Sequence, residues 1–377
     1  MTSCSKCGMI PSLEENGTFL FTAAEAGGRD LIIKHLRDRG AEPEQEGKTI
    51  HVPFYSLEEA VRMVDSLEAD LKESGVSVKG TWKNSASVFG HMLDLAVLKV
   101  RISKPSYLKI INEGLFTHHM QPIINLHSSE VMGQEFLMRP DSSAYSFYPG
   151  ELFDYAQKAD LQSVLDSQAR MSSIEHSARH LDQGTKRFIN FLPSSIYDPN
   201  HCLKSTFKVV KEHGVDPSDL VFEVVETEKI HNVAHLQNIF KTYQQYGVNV
   251  ALDDLGSGFA TVEMLEQLKP DYGKVDRSLI SYCDQNEEKQ EKLKQMLKRA
   301  EIHNIKMLAE GIERKEELEV VKQLGFDLAQ GIILADRRII QWENRSRQQE
   351  NRKEGYMWLP FLSGIFIRIQ IVLTDLF

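Results

Sequence analysis

Short apolar runs alternate along the chain with longer stretches whose apolar residues recur at helical spacing. Near the start, FLFTA (Phe19–Ala23), KTIHVPF (Lys48–Phe54) and VSVKGTW (Val76–Trp82) predict strands. Between them, RDLIIKHLRDRG predicts a helix stopping at Gly40. SLEEAVRMVDSLEADLKESG predicts a second, capped by Ser56 and stopped at Gly75. HMLDLAVLKVRI (His91–Ile102) is amphipathic and predicts a helical connection. These elements describe a small α/β accessory or regulatory unit over residues 1–110, in which no catalytic groups gather.

From Gln121 the beat changes to apolar run, then acid or amide, then helix. FIN ends in Asn190, LVFEVVE carries Glu223 and Glu226, and NVALDD ends in Asp253 and Asp254. YGKVD holds Lys274 and Asp276, IKMLAEG carries Glu310, and LAQG carries Gln330. Roughly twenty to thirty-six residues of mostly helical pattern separate successive runs, as in NEEKQEKLKQMLKRAEIH before the Glu310 strand. Such β–α units predict parallel strands closed into a barrel over residues 111–340, with functional groups at the C-terminal strand ends. An open doubly wound sheet is the rival fold, but no glycine fingerprint follows an early strand.

Composition narrows the function more than the fold. The 377 residues are 41% hydrophobic and 26% charged, as in ordinary globular proteins. A net charge of −10 argues against a nucleic-acid polymer as partner. A small phosphate-containing ligand held by a few cations remains open. Four scattered cysteines fit a reducing cytoplasm rather than a disulfide framework. Cys4 and Cys7 form a CxxC, read as two reduced thiols, with an intermolecular zinc hook or redox pair as the alternative. MTSCSKCGMIPSLEENG has no apolar h-region, so no secretory signal is expected. Residues 341–377 are basic, then apolar from Tyr356, with Pro360, Gly364 and Arg368 interrupting. Packing against the barrel or a partner is expected for this tail. Interfacial membrane contact helped by Arg337, Arg338, Arg345 and Arg347 is the alternative.

If the strand ends share one rim, Glu135, Asn190, Glu223, Asp253, Asp254 and Glu310 converge. Two bare carboxylates about 4 Å apart repel by roughly 4 kcal/mol at an effective dielectric of ~20. Five could stay ionised together only around cations. Neighbouring residues of a regular strand face opposite ways, so Asp253 and Asp254 are expected to meet where the strand gives out. An all-oxygen set favours Mg²⁺ or Mn²⁺ over Zn²⁺, in numbers sufficient for two ions. Lys274 stands where it could orient or help deprotonate an attacking water. On the residues alone, phosphodiester cleavage and a lyase or enolase-type reaction using Lys274 as carbon base both stay open.

The same residues resemble the EAL-domain family of cyclic-di-GMP phosphodiesterases. The matching blocks are QPIINL, GQEFLMR, FINFLPS, FEVVE, LDDLGSGFATVEML, LKPDYGKVDRSLI, LAEGIE and LGFDLAQG, collinear over about 220 residues. The resemblance implies a TIM-like (β/α)8 barrel, a homodimer through that barrel, and Mg²⁺- or Mn²⁺-dependent opening of cyclic di-GMP to pGpG. It carries metal binding to Glu135, Asn190, Glu223, Asp253, Asp254 and Glu310, and the catalytic set to Lys274, Glu135, Glu310 and Gln330. It carries nucleotide binding to Gln121, Arg139 and Asp276, and bracing of the loop after the paired aspartates to Glu226. The signature tripeptide reads EFL, with Phe136 where alanine is usual. A catalytically silent cyclic-di-GMP receptor signalling through the accessory unit is the alternative function.

Overall fold

The computed structural model describes residues 10–72, 74–84, 90–224, 233–257 and 261–334. Cys4, Cys7, Glu226 and the tail from Ala335 lie outside them. The first elements are β1 (Gly17–Ala23), α1 (Ala26–Asp38), β2 (Glu44–Glu46), β3 (Thr49–Phe54), α2 (Leu57–Lys72), β4 (Val78–Lys83) and β5 (Leu93–Asp94). The strands form one antiparallel sheet in the order β2-β3-β1-β4-β5. Alternate residues of β1 and β3 are buried with the apolar stripes of the two helices. The backbone N–H of Glu59 donates to Ser56 Oγ at 3.1 Å, which caps the start of α2, and that of Tyr55 donates to Glu59 Oε2 at 2.8 Å.

The predicted connecting helix begins late. Leu93 and Asp94 extend beside β4 instead, and the helices that follow are α3 (Leu95–Ser103) and α4 (Pro105–Glu113). Pro105 starts α4 because proline suits a first turn. Arg101, buried on α3, donates from Nε and Nη2 to the carbonyl of Ala159 at 3.1 and 2.8 Å.

Next come β6 (Phe116–Asn125), β7 (Val131–Pro140), α5 (Pro149–Lys158), α6 (Gln162–His180), β8 (Lys186–Phe191), α7 (Pro199–Cys202), α8 (Lys204–Glu212) and β9 (Leu220–Val224). They continue with α9 (Val233–Gln245), β10 (Asn249–Leu255), α10 (Val262–Leu268), β11 (Tyr272–Val275), α11 (Arg277–Ile280), α12 (Glu287–Ile302), β12 (Lys306–Ala309), α13 (Lys315–Leu324) and β13 (Leu328–Ala329). Strands β6 to β13 close into an eight-stranded TIM-like barrel. Its strands are not all parallel as expected: β6 runs antiparallel to both β7 and β13. The link from Asn125 to Val131 is a turn in which Asn125 Oδ1 accepts from the N–H groups of His127 and Ser128. So short a link leaves no room for a crossover helix, and the pair must be a hairpin.

Inside the barrel, Ile123, Phe188, Val221, Ala251, Tyr272, Leu308 and Leu328 form one buried layer, with Met132 of β7 against it. This layer is a floor, not a pore. Among the described residues, no helix is long and apolar enough to cross a membrane.

Candidate active site at the barrel mouth

The floor determines where the chemistry stands. Asn190 follows Phe188, Glu223 follows Val221, Asp253 follows Ala251 and Lys274 follows Tyr272, each by two residues. Glu310 follows Leu308 and Gln330 follows Leu328 by the same step. A step of two keeps a strand face, so these side chains form the next interior layer toward the mouth. On β6 the direction is reversed: Gln121 precedes Ile123 by two and pairs directly opposite Glu135 of β7.

Asp254 would face away from Asp253 in a regular strand. The β10–β11 ladder slips between Leu252 and Leu255, and Asp254 adopts φ +56°. Its N–H donates to Asp253 Oδ1 at 2.9 Å. Aspartate tolerates this left-handed conformation better than most residues, and the resulting bulge re-aims its side chain. One oxygen each of Asp253, Asp254 and Glu310 then lie within 4.8 Å of one another. The two acids therefore meet through a bulge within β10, which continues to Leu255, and not where the strand gives out.

Lys274, with no exposed surface, stands at the centre. Its Nζ lies 2.5 Å from Glu223 Oε2, 2.8 Å from Glu310 Oε1, 3.2 Å from Asp253 Oδ1 and 3.5 Å from Glu135 Oε1. Gln330 Nε2 donates to Glu135 Oε2 at 2.6 Å, and Asn190 Nδ2 reaches Glu135 Oε1 at 3.4 Å. Burial pushes the carboxyls of Glu223, Asp253 and Glu310 up, while Lys274 pulls each back down. Burial also opposes the Lys274 charge, but Asp253, Glu135, Glu223 and Glu310 outweigh it and hold the ammonium well above its usual range.

With all four carboxylates ionised, one cation leaves negative charge uncompensated in a buried space, which is costly unless protons or further cations arrive. Two buried oxygens, Glu223 Oε1 and Gln330 Oε1, have no hydrogen-bond partner. An oxygen-only donor set with surplus charge and orphaned oxygens suits hard divalent cations. The residues present fit that kind of ion.

Residues 106–336 match the family model described as EAL domain. The chain belongs to the EAL-domain family. A relative from Escherichia coli (strain K12) named "Probable cyclic di-GMP phosphodiesterase PdeG" is 29% identical over 235 residues, covering 59% of this chain and 45% of its own. The chain spans less than half the length of such curated relatives. A crystal structure of a standalone versatile EAL protein from Vibrio cholerae O395, in its c-di-GMP bound form, is 30% identical with a TM-score of 0.52. It covers 57% of this chain and 89% of its own. The calcium/cy-diGMP complex of Klebsiella pneumoniae BlrP1 covers 84% of this chain and 94% of its own at 19% identity and TM-score 0.53, a likeness of fold.

Other residues expected at the site divide. Arg139 shares the interior face of β7 with Glu135; its Nη1 donates to the Met138 carbonyl at 2.7 Å, and burial lowers its pKa while Glu135 opposes. Asp276 caps α11, with Oδ1 accepting from the Ser278 N–H at 2.9 Å. Phe136, at the family's alanine position, is buried on the outer face of β7 beside His118 and His176. Gly331 has a packing reason: a Cβ there would meet the Ile312 carbonyl oxygen at 2.0 Å, where the Ile312 N–H donates to the Gln330 carbonyl. That contact ties Gln330 to the loop after Glu310.

The sequence reading missed Asp166 and Arg170, both buried on α6. Asp166 Oδ1 accepts from the Leu192 N–H at 2.8 Å and so holds the segment following Asn190. The i,i+4 acid–base pair was the available signal, but such pairs are common on solvated helices.

Proposed function

We propose that this EAL barrel hydrolyses cyclic di-GMP to linear pGpG in a reaction dependent on Mg²⁺ or Mn²⁺. The observation that carries the proposal is the interior layer of oxygen donors around Lys274, with more negative charge than the chain itself balances. The naming of the E. coli relative as a probable cyclic di-GMP phosphodiesterase supports it, as does the c-di-GMP bound form of the V. cholerae protein.

Glu135, Asn190, Glu223, Asp253, Asp254 and Glu310 would hold two ions. Bound there, they would supply Lewis acidity at a phosphoryl oxygen and lower the pKa of a coordinated water. The chain's own groups supply the rest. Arg139 and Gln121 line the mouth beside Glu135 and bind the dinucleotide, a guanidinium being suited to a phosphate oxygen; Asp276 joins them as a nucleotide contact. Lys274 keeps its proton on Nζ and orients the attacking water with it. Gln330 fixes Glu135 through its 2.6 Å hydrogen bond. By the resemblance, Glu226, outside the described residues, is assigned the bracing of the loop after the paired aspartates. In this reading the protein is a cytoplasmic homodimer, regulated through its accessory unit, that lowers the messenger controlling biofilm and motility.

Incubation of the purified chain with cyclic di-GMP and either metal is expected to release pGpG on chromatography. Tight binding without product in both metals overturns the reading and leaves a receptor.

A further inference from the structure

We propose that the seam between α6 and the outer faces of β6 and β7 is an acid-sensitive catch. Protonation of His118 opens this seam and loosens the two strands that carry Gln121 and Glu135. The inference concerns folding and stands whether or not the barrel turns over a dinucleotide.

Strand alternation sends Gln121 and Glu135 into the barrel and His118, Phe136 and Met138 outward under α6. His118 is 5% exposed, and neither Nδ1 nor Nε2 has a hydrogen-bond partner. Rings surround it: Phe116 at 6.0 Å, His176 at 6.2 Å and Phe136 at 6.4 Å between centroids. His176 in turn stacks on His180 at 4.3 Å.

The groups facing this imidazole are basic or apolar. From α6 comes His176, itself under the influence of His180, Arg179 and His119, with Arg179 4.0 Å from Glu175; from β6 comes Phe116; from β7 come Phe136 and, directly opposite, Met138. No carboxylate is among the influences on His118: burial first, then His176, push its pKa down to about 4. Among the described residues the one three-ligand group within cation reach is Asp253, Asp254 and Glu310, so these imidazoles do not converge on a metal.

A neutral ring fits this packing. An imidazolium would carry two N–H donors into a space without an acceptor. Because the folded pKa lies below the unfolded value of about 6.5, the native state is at full strength above that pH. Stability is then lost progressively as pH falls from about 6.5 toward 4.

The test compares urea unfolding of the full chain and of His118→Phe at pH 7.5 and 5.0. Between these pH values the folding equilibrium of the unsubstituted chain should weaken about thirtyfold more than that of the variant. Equal pH dependence overturns the proposal. Should the variant fail to fold, the ring resonance of His118 in the native protein decides: a neutral ring at pH 5.0 supports the catch, and titration near pH 6.5 sinks it.

Discussion

Two clusters of buried charge in the barrel region could hardly be more different in balance. On α6, Asp166 and Arg170 pair at 2.6 Å. Asp166 also accepts from Ser195 Oγ at 2.5 Å and from the Leu192 N–H, while Arg170 Nε donates to Thr206 Oγ1 at 3.1 Å. Charge matches charge, and the lone pairs find donors. At the mouth, four carboxylates share the Lys274 ammonium and two oxygens are orphaned. A balanced buried cluster has spent its electrostatics on the fold. An unbalanced one is completed by something the chain does not supply.

The contrast predicts opposite responses to substitution. Asp254→Asn at the mouth should cut cyclic-di-GMP hydrolysis by about 10⁴-fold, near 5.5 kcal/mol of barrier, with the urea midpoint unchanged. A large loss of stability in that variant would erase the distinction between the clusters. In the α6 network the reverse holds: Asp166→Ala leaves Arg170 buried without its partner and should cost about 3–5 kcal/mol in chemical denaturation. Added cation tests the mouth directly. Mn²⁺ at a hundred times its Kd should stabilise the chain by about 2.7 kcal/mol in thermal unfolding, and a chelator should reverse it. No shift with Mn²⁺ or Mg²⁺ would mean the surplus charge is balanced in some other way. The smallest effect runs against intuition. Glu223→Gln in metal-free protein should raise stability by about 1 kcal/mol, or a few degrees of Tm, because it removes surplus charge.

Much of the mouth was legible in the sequence because a barrel strand repeats every two residues. Phe188 then Asn190, Val221 then Glu223, Ala251 then Asp253, and Tyr272 then Lys274 each spell a floor residue followed by a donor on the same face. The bulge was not legible: adjacency of Asp253 and Asp254 says nothing about a left-handed φ, which depends on the slipped ladder against β11. The antiparallel β6 was readable and overlooked. Only six residues separate QPIINL from GQEFLMR, too few for a crossover helix. The burial of His118 and of Asp166 was not legible, since it depends on how α6 settles on the barrel, although the i,i+4 spacing of Asp166 and Arg170 was.

The hydrogen bond from Gln330 to Glu135 joins positions 195 residues apart. A nascent chain that has folded only as far as β12 therefore has Glu135 without the amide that fixes it, however well its earlier strands are paired. The ring closes where β13 meets β6, and only that closure brings the Gln330 amide onto the Glu135 carboxylate.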